Sequence, residues 1–284
     1  MKKIGVIDHF LDQYHFHNYP DWIKNASNGE MQITYAWAET EHEGGKSNAE
    51  CCAEHGVTWL DSPEEVIEKS DCLIVMSPDN PERHEELCKQ ALSSGKPTYV
   101  DKTFAPDRET ALRITELAEK SGTPFFSTSA LRYAPGYAAV KREGIEYIAE
   151  RGPGLFSNYA IHHIEPVVCM MGADIEKIMY IGTKNTPSLI FGYRDGRTAV
   201  ISLLGWECPF NMAVNYSNGH AALFDAGDNF YAEFIKELVG FFRDGRIRVP
   251  HQETLAVMTV LEYGKEAQKN PGEWIFLPAA REGE

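Results

Sequence analysis

The sequence has no CxxC pair, no long apolar run and no excess of basic residues. No apolar run approaches the ~18 residues that cross a membrane, so we expect no membrane-spanning segment. The apolar run that follows Lys2 and Lys3 is interrupted at Asp8, so we expect no signal peptide. The six cysteines are scattered along the chain, which is typical of reduced thiols in a cytoplasmic protein.

The charge balance narrows the choice of partner. A net charge of −15 argues against nucleic acid and against an anionic membrane surface as partners. The 284 residues are enough for two domains, which we place at 1–128 and 129–284. We therefore expect a cytoplasmic protein whose partner is a small molecule.

The first 128 residues alternate between strand-like and helix-like segments. Compact apolar segments that favour strands occupy 2–8, 31–38, 57–59, 71–76, 97–100 and 124–127. Helices are predicted at 48–55, after the capping Ser62, at 82–94 and at 107–121. This alternation predicts an α/β domain with a Rossmann-like, doubly wound parallel sheet.

The pattern changes after Thr128. Helices are predicted at 137–150 and 157–171, and strand-like segments follow at 176–182, 188–193, 198–204, 211–216 and 220–224. The chain ends with two predicted helices, from Phe230 and at 253–269, and a strand at 274–277. We expect a C-terminal α/β domain with an open, mainly antiparallel sheet.

The first strand is followed by an aromatic, histidine-rich stretch instead of glycines. Its residues run DHFLDQYHFHNYP from Asp8, and Tyr14 and His15 could line a ligand pocket there. His15 and His17 could bind zinc together with His84 or His162, but the spacing matches no strong zinc pattern. We predict no metal site.

A lysine follows the predicted strand at 97–100. Asp101-Lys102-Thr103 would lie at the carboxyl edge of the sheet, where open parallel sheets bind ligands. The same pair also fits an ordinary surface contact between an acid and a lysine.

Three motifs in order carry a resemblance to a known family. The motifs are Ser77-Pro78 with His84, Gly95-Lys96 and Asp101-Lys102-Thr103; Asn158 to Glu165, containing His162; and the ending 234–242, 250–253 and 274–278. In this order the chain resembles the Gfo/Idh/MocA oxidoreductases. Thr103 replaces that family's proline, and Asn158 replaces an aspartate. Asp8, Phe10 and Gln13 stand at the three glycines of GxGxxG, and the stretch from Ala149 to Phe156 is short for the family's strand and loop.

The resemblance implies an oxidoreductase that uses NAD or NADP on a sugar-like or polyol substrate. By position, Lys102 is the family's catalytic lysine and His162 its catalytic histidine. Both residue types can take the hydroxyl proton when a carbinol loses hydride. Family members commonly pair through the C-terminal sheet, so we expect a homo-oligomer, a dimer or a tetramer.

Further site residues follow from the same positions. The cofactor-binding candidates are Asp8, Phe10, Glu39, Ser77, Pro78, His84 and Asp101. The substrate-binding candidates are Tyr14, His15, Arg132, Tyr133, Asn158 and His163. Glu39 could bond a ribose hydroxyl and so favour NAD, or it could be a solvated loop acid.

Two alternatives to a dehydrogenase stay open. The missing glycines favour a ligand-binding or regulatory protein of the same fold without dinucleotide turnover. A lyase or hydrolase without redox chemistry is the third interpretation.

Overall fold

The computed structural model describes residues 1–279, which form two compact units. The first unit contains Met1–Thr128 and Phe234–Pro250. The second contains Ser129–Glu233 and the chain from His251 onward. The segment Phe234–Pro250 therefore belongs to the first unit although it follows most of the second in sequence.

The first unit is built on a parallel sheet of six strands. The strands are β1 (Lys2–Asp8), β2 (Met31–Ala38), β3 (Thr58–Trp59), β4 (Cys72–Met76), β5 (Thr98–Val100) and β6 (Phe125–Phe126). The helices are α1 (Tyr14–Ala26), α2 (Asn48–His55), α3 (Pro63–Lys69), α4 (His84–Ala91) and α5 (Arg108–Ser121). The expected alternation of strands and helices is confirmed.

The strand order creates a crevice at the middle of this sheet. The order is β3-β2-β1-β4-β5-β6, so the chain leaves β1 in one direction and returns to its other side. In such sheets ligands bind beyond the carboxyl ends of the strands at this switch point. Residues that follow β1, β2, β4 and β5 are therefore placed near one another.

A helix from the C-terminal half completes the first unit. Helix α7 (Phe230–Asp244) packs its aromatic face on the sheet. The ring of Phe234 lies 5.3 Å from that of Tyr99, and the ring of Phe241 lies 4.9 Å from that of Phe126. Four buried aromatic rings at these distances hold the helix on β5 and β6.

The second unit contains a sheet of seven strands. The strands are β7 (Ile145–Pro153), β8 (Ile175–Thr183), β9 (Thr186–Tyr193), β10 (Thr198–Leu204), β11 (Asn211–Tyr216), β12 (Ala221–Asp225) and β13 (Trp274–Phe276). Their order is β12-β11-β7-β10-β9-β8-β13, and only the β7–β10 pair is parallel. Helices α6 (Phe156–Met171) and α8 (His251–Ala267) pack on it. The expected, mainly antiparallel sheet is confirmed.

The predicted helix at 137–150 is wrong. The chain forms a 3₁₀ turn at Tyr137–Ala139 and then the strand β7, which also supplies the strand that the stretch before Phe156 was thought too short to hold. Glu150 points inward on this strand and pairs with the buried His163. An inward acid hides the apolar alternation that identifies a strand from sequence.

The helices were compared with the length and apolar character that a membrane-spanning helix needs. Within residues 1–279, no helix is both long and apolar enough to cross a membrane.

Candidate active site

The end of strand β5 carries a buried carboxylate. Asp101 is almost fully buried, and its Oδ2 lies 2.8 Å from Nδ1 of His15 on helix α1. The hydroxyl of Tyr99 lies 3.1 Å from the other oxygen, Oδ1. Burial alone would raise the pKa of Asp101, but His15 and then Lys102 lower this pKa to about 2. Asp101 is therefore an ionised carboxylate held between α1 and β5.

Lys102 follows this carboxylate at the carboxyl edge of the sheet. Its side chain is half-buried, and its peptide bond to Thr103 is cis. The carbonyl of Thr103 accepts a hydrogen bond at 2.9 Å from Nδ1 of His84, the first residue of α4. Burial lowers the pKa of His84 to about 4, so this histidine is neutral near pH 7. His84 thus holds the backbone next to Lys102 by a hydrogen bond.

The turn between β1 and α1 is closed by hydrogen bonds to side chains of the turn and of helix α2. Oδ1 of Asp8 accepts from the backbone N–H of His9 at 2.7 Å, and Oδ2 accepts from Nε2 of Gln13 at 2.9 Å. Leu11 donates its N–H to Oδ1 of Asn48 at 2.9 Å. Burial raises the pKa of the Asp8 carboxyl well above its ordinary value, although the bonds from Gln13 and His9 oppose this. The turn therefore contains a fully buried acid that favours its neutral form.

An ion pair links the residue that follows β2 to the turn between β4 and α4. The guanidinium of Arg83 binds both carboxylate oxygens of Glu39, with a distance of 2.9 Å from Nε to Oε2. Nδ1 of His9 also lies 2.8 Å from that carboxylate. The hydrogen bond from Arg83 lowers the pKa of Glu39. Because β1 lies between β2 and β4, this pair bridges the switch point on either side of β1.

The other predicted residues of the first unit lie around this edge. The hydroxyl of Ser77 donates to the carbonyl of Asn80 at 2.9 Å, closing the turn that contains the half-buried Pro78. The ring of Phe10 stacks on His42, with centroids 4.6 Å apart. Tyr14 opens α1 with an exposed side chain. The structure thus brings Asp8, Glu39, Asp101 and Lys102 to one edge of the sheet, where internal hydrogen bonds hold the carboxyl groups of the three acids.

The second unit contains the other predicted catalytic residue. His162 is half-buried on α6, and its Nδ1 lies 2.7 Å from the hydroxyl oxygen of Ser129. The ring of Tyr159, one turn earlier, meets the His162 ring edge-on at 5.0 Å. These two contacts fix the plane of the imidazole ring.

The neighbouring histidine has a different environment. His163 is fully buried, with Nδ1 at 2.5 Å from Oε2 of Glu150 and Nε2 at 3.1 Å from the carbonyl of Pro153. Burial raises the pKa of Glu150, although His163 opposes the shift. Both ring nitrogens join α6 to β7, so His163 contributes to packing rather than to an exposed surface.

The remaining predicted substrate residues are divided between packing and surface. Nη1 of Arg132 lies 3.2 Å from Oε1 of Glu165, and Nη2 binds Glu253. Tyr133 is half-buried beside Arg132, and Asn158 is exposed in the first turn of α6. Arg132 is thus held between two acids from α6 and α8.

Three residues that shape these sites, Asn48, Arg83 and Ser129, were not expected from the sequence, and neither was the hydrogen bond from Gln13 to Asp8. Gln13 and Asn48 replace glycine geometry with side-chain hydrogen bonds, which no spacing rule predicts. Arg83 lies one residue before the matched His84, so the motif itself pointed close to it. Ser129 is recognisable only as the partner of His162.

Comparison with known proteins agrees with this fold. Residues 18–129 match the Gfo/Idh/MocA model, an oxidoreductase family with an NAD-binding Rossmann fold. The match begins after the β1–α1 turn, where the glycines are missing. The resemblance to this family, expected from the three motifs, is confirmed.

Individual relatives extend the comparison. Inositol 2-dehydrogenase of Cereibacter sphaeroides is 34% identical over 197 residues, which span 62% of this chain and 58% of that relative. The structure of myo-inositol dehydrogenase from Lactobacillus casei, in complex with NAD(H) and myo-inositol, is 13% identical with a TM-score of 0.82 over 99% of this chain and 98% of that one. UDP-N-acetylglucosamine 3-dehydrogenase from Acidithiobacillus ferrooxidans is 14% identical with a TM-score of 0.75 over 94% and 97% of the two chains. The two structural likenesses establish the fold.

The β1–α1 turn does not fit a dinucleotide pyrophosphate in the way the fold usually binds it. That mode needs free backbone N–H groups and close approach of a glycine backbone. Here the N–H groups of His9 and Leu11 are bonded to Asp8 and Asn48, and the Asp8 carboxyl adds a side chain at the first glycine position. Glu39 has the position of a ribose-binding acid, but Arg83 and His9 hold its carboxylate.

Proposed function

We propose that this protein is an oxidoreductase that acts on a polyol or sugar-like molecule, with Lys102 as its proton-transfer residue. The observation that carries the proposal is the position of Lys102. It follows a fully buried, ionised Asp101 at the carboxyl edge of the sheet, and its backbone is supported by His84. A half-buried lysine in this place is available to a ligand in the crevice.

The same side chain can transfer the proton in both directions of the reaction. When an alcohol is oxidised, the neutral amine of Lys102 takes the hydroxyl proton; when a carbonyl is reduced, the ammonium returns a proton to its oxygen. Asp101, held by His15 and Tyr99, keeps a fixed negative charge beside the amine. His162, hydrogen-bonded to Ser129, is proposed as a second proton-handling residue.

The substrate class is supported by the relatives. The inositol 2-dehydrogenase that is 34% identical over 197 residues acts, by its name, on a cyclic polyol. A polyol offers several vicinal hydroxyls, which suit a site with several polar groups. In the family NAD or NADP is the hydride carrier, and we propose that one of them serves here, bound in a way that does not rely on the usual glycine turn.

One experiment tests the proposal. The purified chain is titrated by calorimetry with NAD, NADH, NADP and NADPH, and then assayed with each dinucleotide against a panel of cyclic and linear polyols. The proposal requires binding of at least one dinucleotide and its reduction by at least one polyol. If none of the four dinucleotides binds at millimolar concentration, the dehydrogenase function is ruled out.

A second candidate function follows from a different observation. In the β1–α1 turn, the backbone N–H groups of His9 and Leu11 donate hydrogen bonds to Asp8 and Asn48. This favours a ligand-binding or regulatory protein without dinucleotide turnover. This protein would bind a polyol in the same titrations, with a rise in melting temperature, but no dinucleotide. The two candidates therefore separate in one set of measurements.

We also propose that copies pair through the open face of the second sheet. Along β10 the buried residues alternate with half-exposed Thr198, Val200, Ser202 and Leu204, which share one face. On β9, Ile190 is half-exposed on the same face, directly opposite Val200. Val200→Glu should shift the sedimentation of the chain to the monomer, whereas Lys184→Glu, in the hairpin turn, should leave it unchanged.

A further inference from the structure

We propose that the chain binds one divalent transition-metal ion, of which Zn²⁺ is the representative, between helices α1 and α2. The ligands are Nδ1 of His17, Nε2 of His55 and the carboxylate of Glu54. One ligand atom from each of these residues lies within 4.8 Å of the others. The proposal does not rest on the proposed function.

The distance between the two imidazoles fits a shared ion. Nδ1 of His17 and Nε2 of His55 are 3.2 Å apart. Two nitrogens at ~2.0–2.1 Å from a tetrahedral zinc ion are separated by about 3.3 Å. Small adjustments of two half-buried side chains therefore suffice to place an ion between them.

Asp12 fixes the orientation of one ligand. Its Oδ1 lies 2.8 Å from Nε2 of His17, so the carboxylate accepts the N–H on that nitrogen. The other nitrogen, Nδ1, then carries a lone pair directed at His55. A carboxylate behind a ligating histidine is the usual outer partner of a metal site, and it fixes the tautomer and ring plane.

His55 is positioned by packing. Its ring stands edge-on to Phe16, with centroids 5.9 Å apart and an interplanar angle of 89°. It is the last residue of α2, where the left-handed Gly56 turns the chain away. The second imidazole is thus held at the end of a helix with its Nε2 toward α1.

The third ligand has a competitor. Both oxygens of Glu54 bind Nζ of Lys46, at 2.6 and 2.8 Å. Both side chains are about half exposed, at 51% and 45%, so this ion pair is easily replaced. Metal binding therefore exchanges the ammonium of Lys46 for the cation, and Lys46 weakens the site.

Cys51 is close but belongs outside the ligand set. Its Sγ forms a separate group with Asp12 and His17, and that group contains neither His55 nor Glu54. We therefore expect that Sγ of Cys51 does not coordinate the metal ion.

The simplest competing explanation is an N–H···N hydrogen bond between the two histidines. It accounts for the 3.2 Å distance without any ion. The two explanations make different predictions for the chain after a chelator has stripped it of metal and has itself been removed. A metal site takes up metal again, whereas a hydrogen-bonded histidine pair does not. Titration calorimetry with Zn²⁺, and Co²⁺ absorption spectroscopy, measure this directly.

We expect one Zn²⁺ per chain in the micromolar range and a melting temperature that rises with Zn²⁺ and falls again with chelator. His17→Ala and His55→Ala should abolish the binding, and Asp12→Asn should weaken it about 10- to 100-fold. His220→Ala, on an exposed histidine of the second unit, is the control and should bind as the original chain does.

Lys46→Met provides a test that does not depend on a damaged site. Removal of the competing ammonium should tighten Zn²⁺ binding by a few-fold. The Co²⁺ complex should lack the sulfur-to-cobalt charge-transfer band, and Cys51→Ser should leave the affinity unchanged. A chain that takes up no Zn²⁺ at millimolar concentration, or binds it equally after His17→Ala, overturns the site. A sulfur band overturns the assigned ligand set.

Discussion

Nδ1 of His15 lies 2.8 Å from Oδ2 of Asp101, so the first turn of helix α1 is tied to the end of strand β5. The two residues are 86 positions apart in sequence. The contact places an ionised carboxylate directly before Lys102, and it makes the candidate active site and the stability of the first unit depend on the same side chain.

Asp101→Asn should destabilise the protein at pH 7. A pKa lowered from 3.8 to about 2 is a stabilising contribution that is present above pH 3.8 and is lost as the pH falls through about 2. The shift corresponds to roughly 2 kcal/mol of unfolding free energy. Urea unfolding at several pH values should show the difference between the two chains shrinking below pH 3.8. Asp61→Asn, at an exposed position, should show no such loss.

His84→Gln should flatten the acid side of the stability profile. The folded chain lowers the pKa of His84 from 6.5 to about 4, so between these values the unfolded chain binds more protons. Stability of the original chain therefore rises with pH through this window, by roughly 3 kcal/mol at most. Thermal unfolding between pH 4 and pH 7 measures the slope. A variant with an unchanged slope would show that His84 does not titrate in the buried state described here.

Asp8→Gly should strengthen dinucleotide binding. The change removes the carboxyl from the first glycine position and releases the N–H of His9. Freed donors and space at this turn should tighten binding at least about tenfold, which is ~1.4 kcal/mol. Calorimetry with the four dinucleotides compares the variant with the original chain, and Asp61→Gly is the control. Equal affinities would mean that the turn does not limit binding.

The sequence predicted the first unit well because several of its strands are buried on both faces. Cys72–Met76 is apolar throughout and is buried at every position. Strand β7 escaped prediction because its inward Glu150 is satisfied by His163, a partner that the local sequence does not reveal. The return of Phe234–Pro250 to the first unit also depends on packing, since the ring of Phe234 meets Tyr99 135 positions away.

The sequence pointed to some of the candidate residues and not to others, depending on whether they lie in one motif or meet only in the fold. Asp101 and Lys102 became candidates because they follow a predicted strand within a motif, and the spacing of a motif can be read from the sequence alone. The histidines of the proposed metal site were not identified as a pair, because His17 and His55 come from two helices that meet only in the fold. A search for zinc ligands at short spacing cannot detect such a pair.

His162→Asn should lower turnover if this histidine handles a proton. Asparagine keeps a hydrogen-bonding group near Ser129 but cannot exchange a proton near pH 7. We expect kcat to fall about 100-fold or more, with a smaller change in KM. His220→Asn is the matched control. A change in KM alone would assign His162 to substrate binding instead.

The most direct measurement is the turnover of the original chain and of Lys102→Met with the polyol and dinucleotide that the panel identifies. Methionine keeps the length of the lysine stem and removes the proton-transferring amine. We expect kcat to fall about 100- to 10,000-fold in Lys102→Met with an unchanged melting temperature, and we expect the control Lys89→Met to keep its activity. Equal turnover by Lys102→Met, or no turnover of any polyol by the original chain, would contradict this expectation.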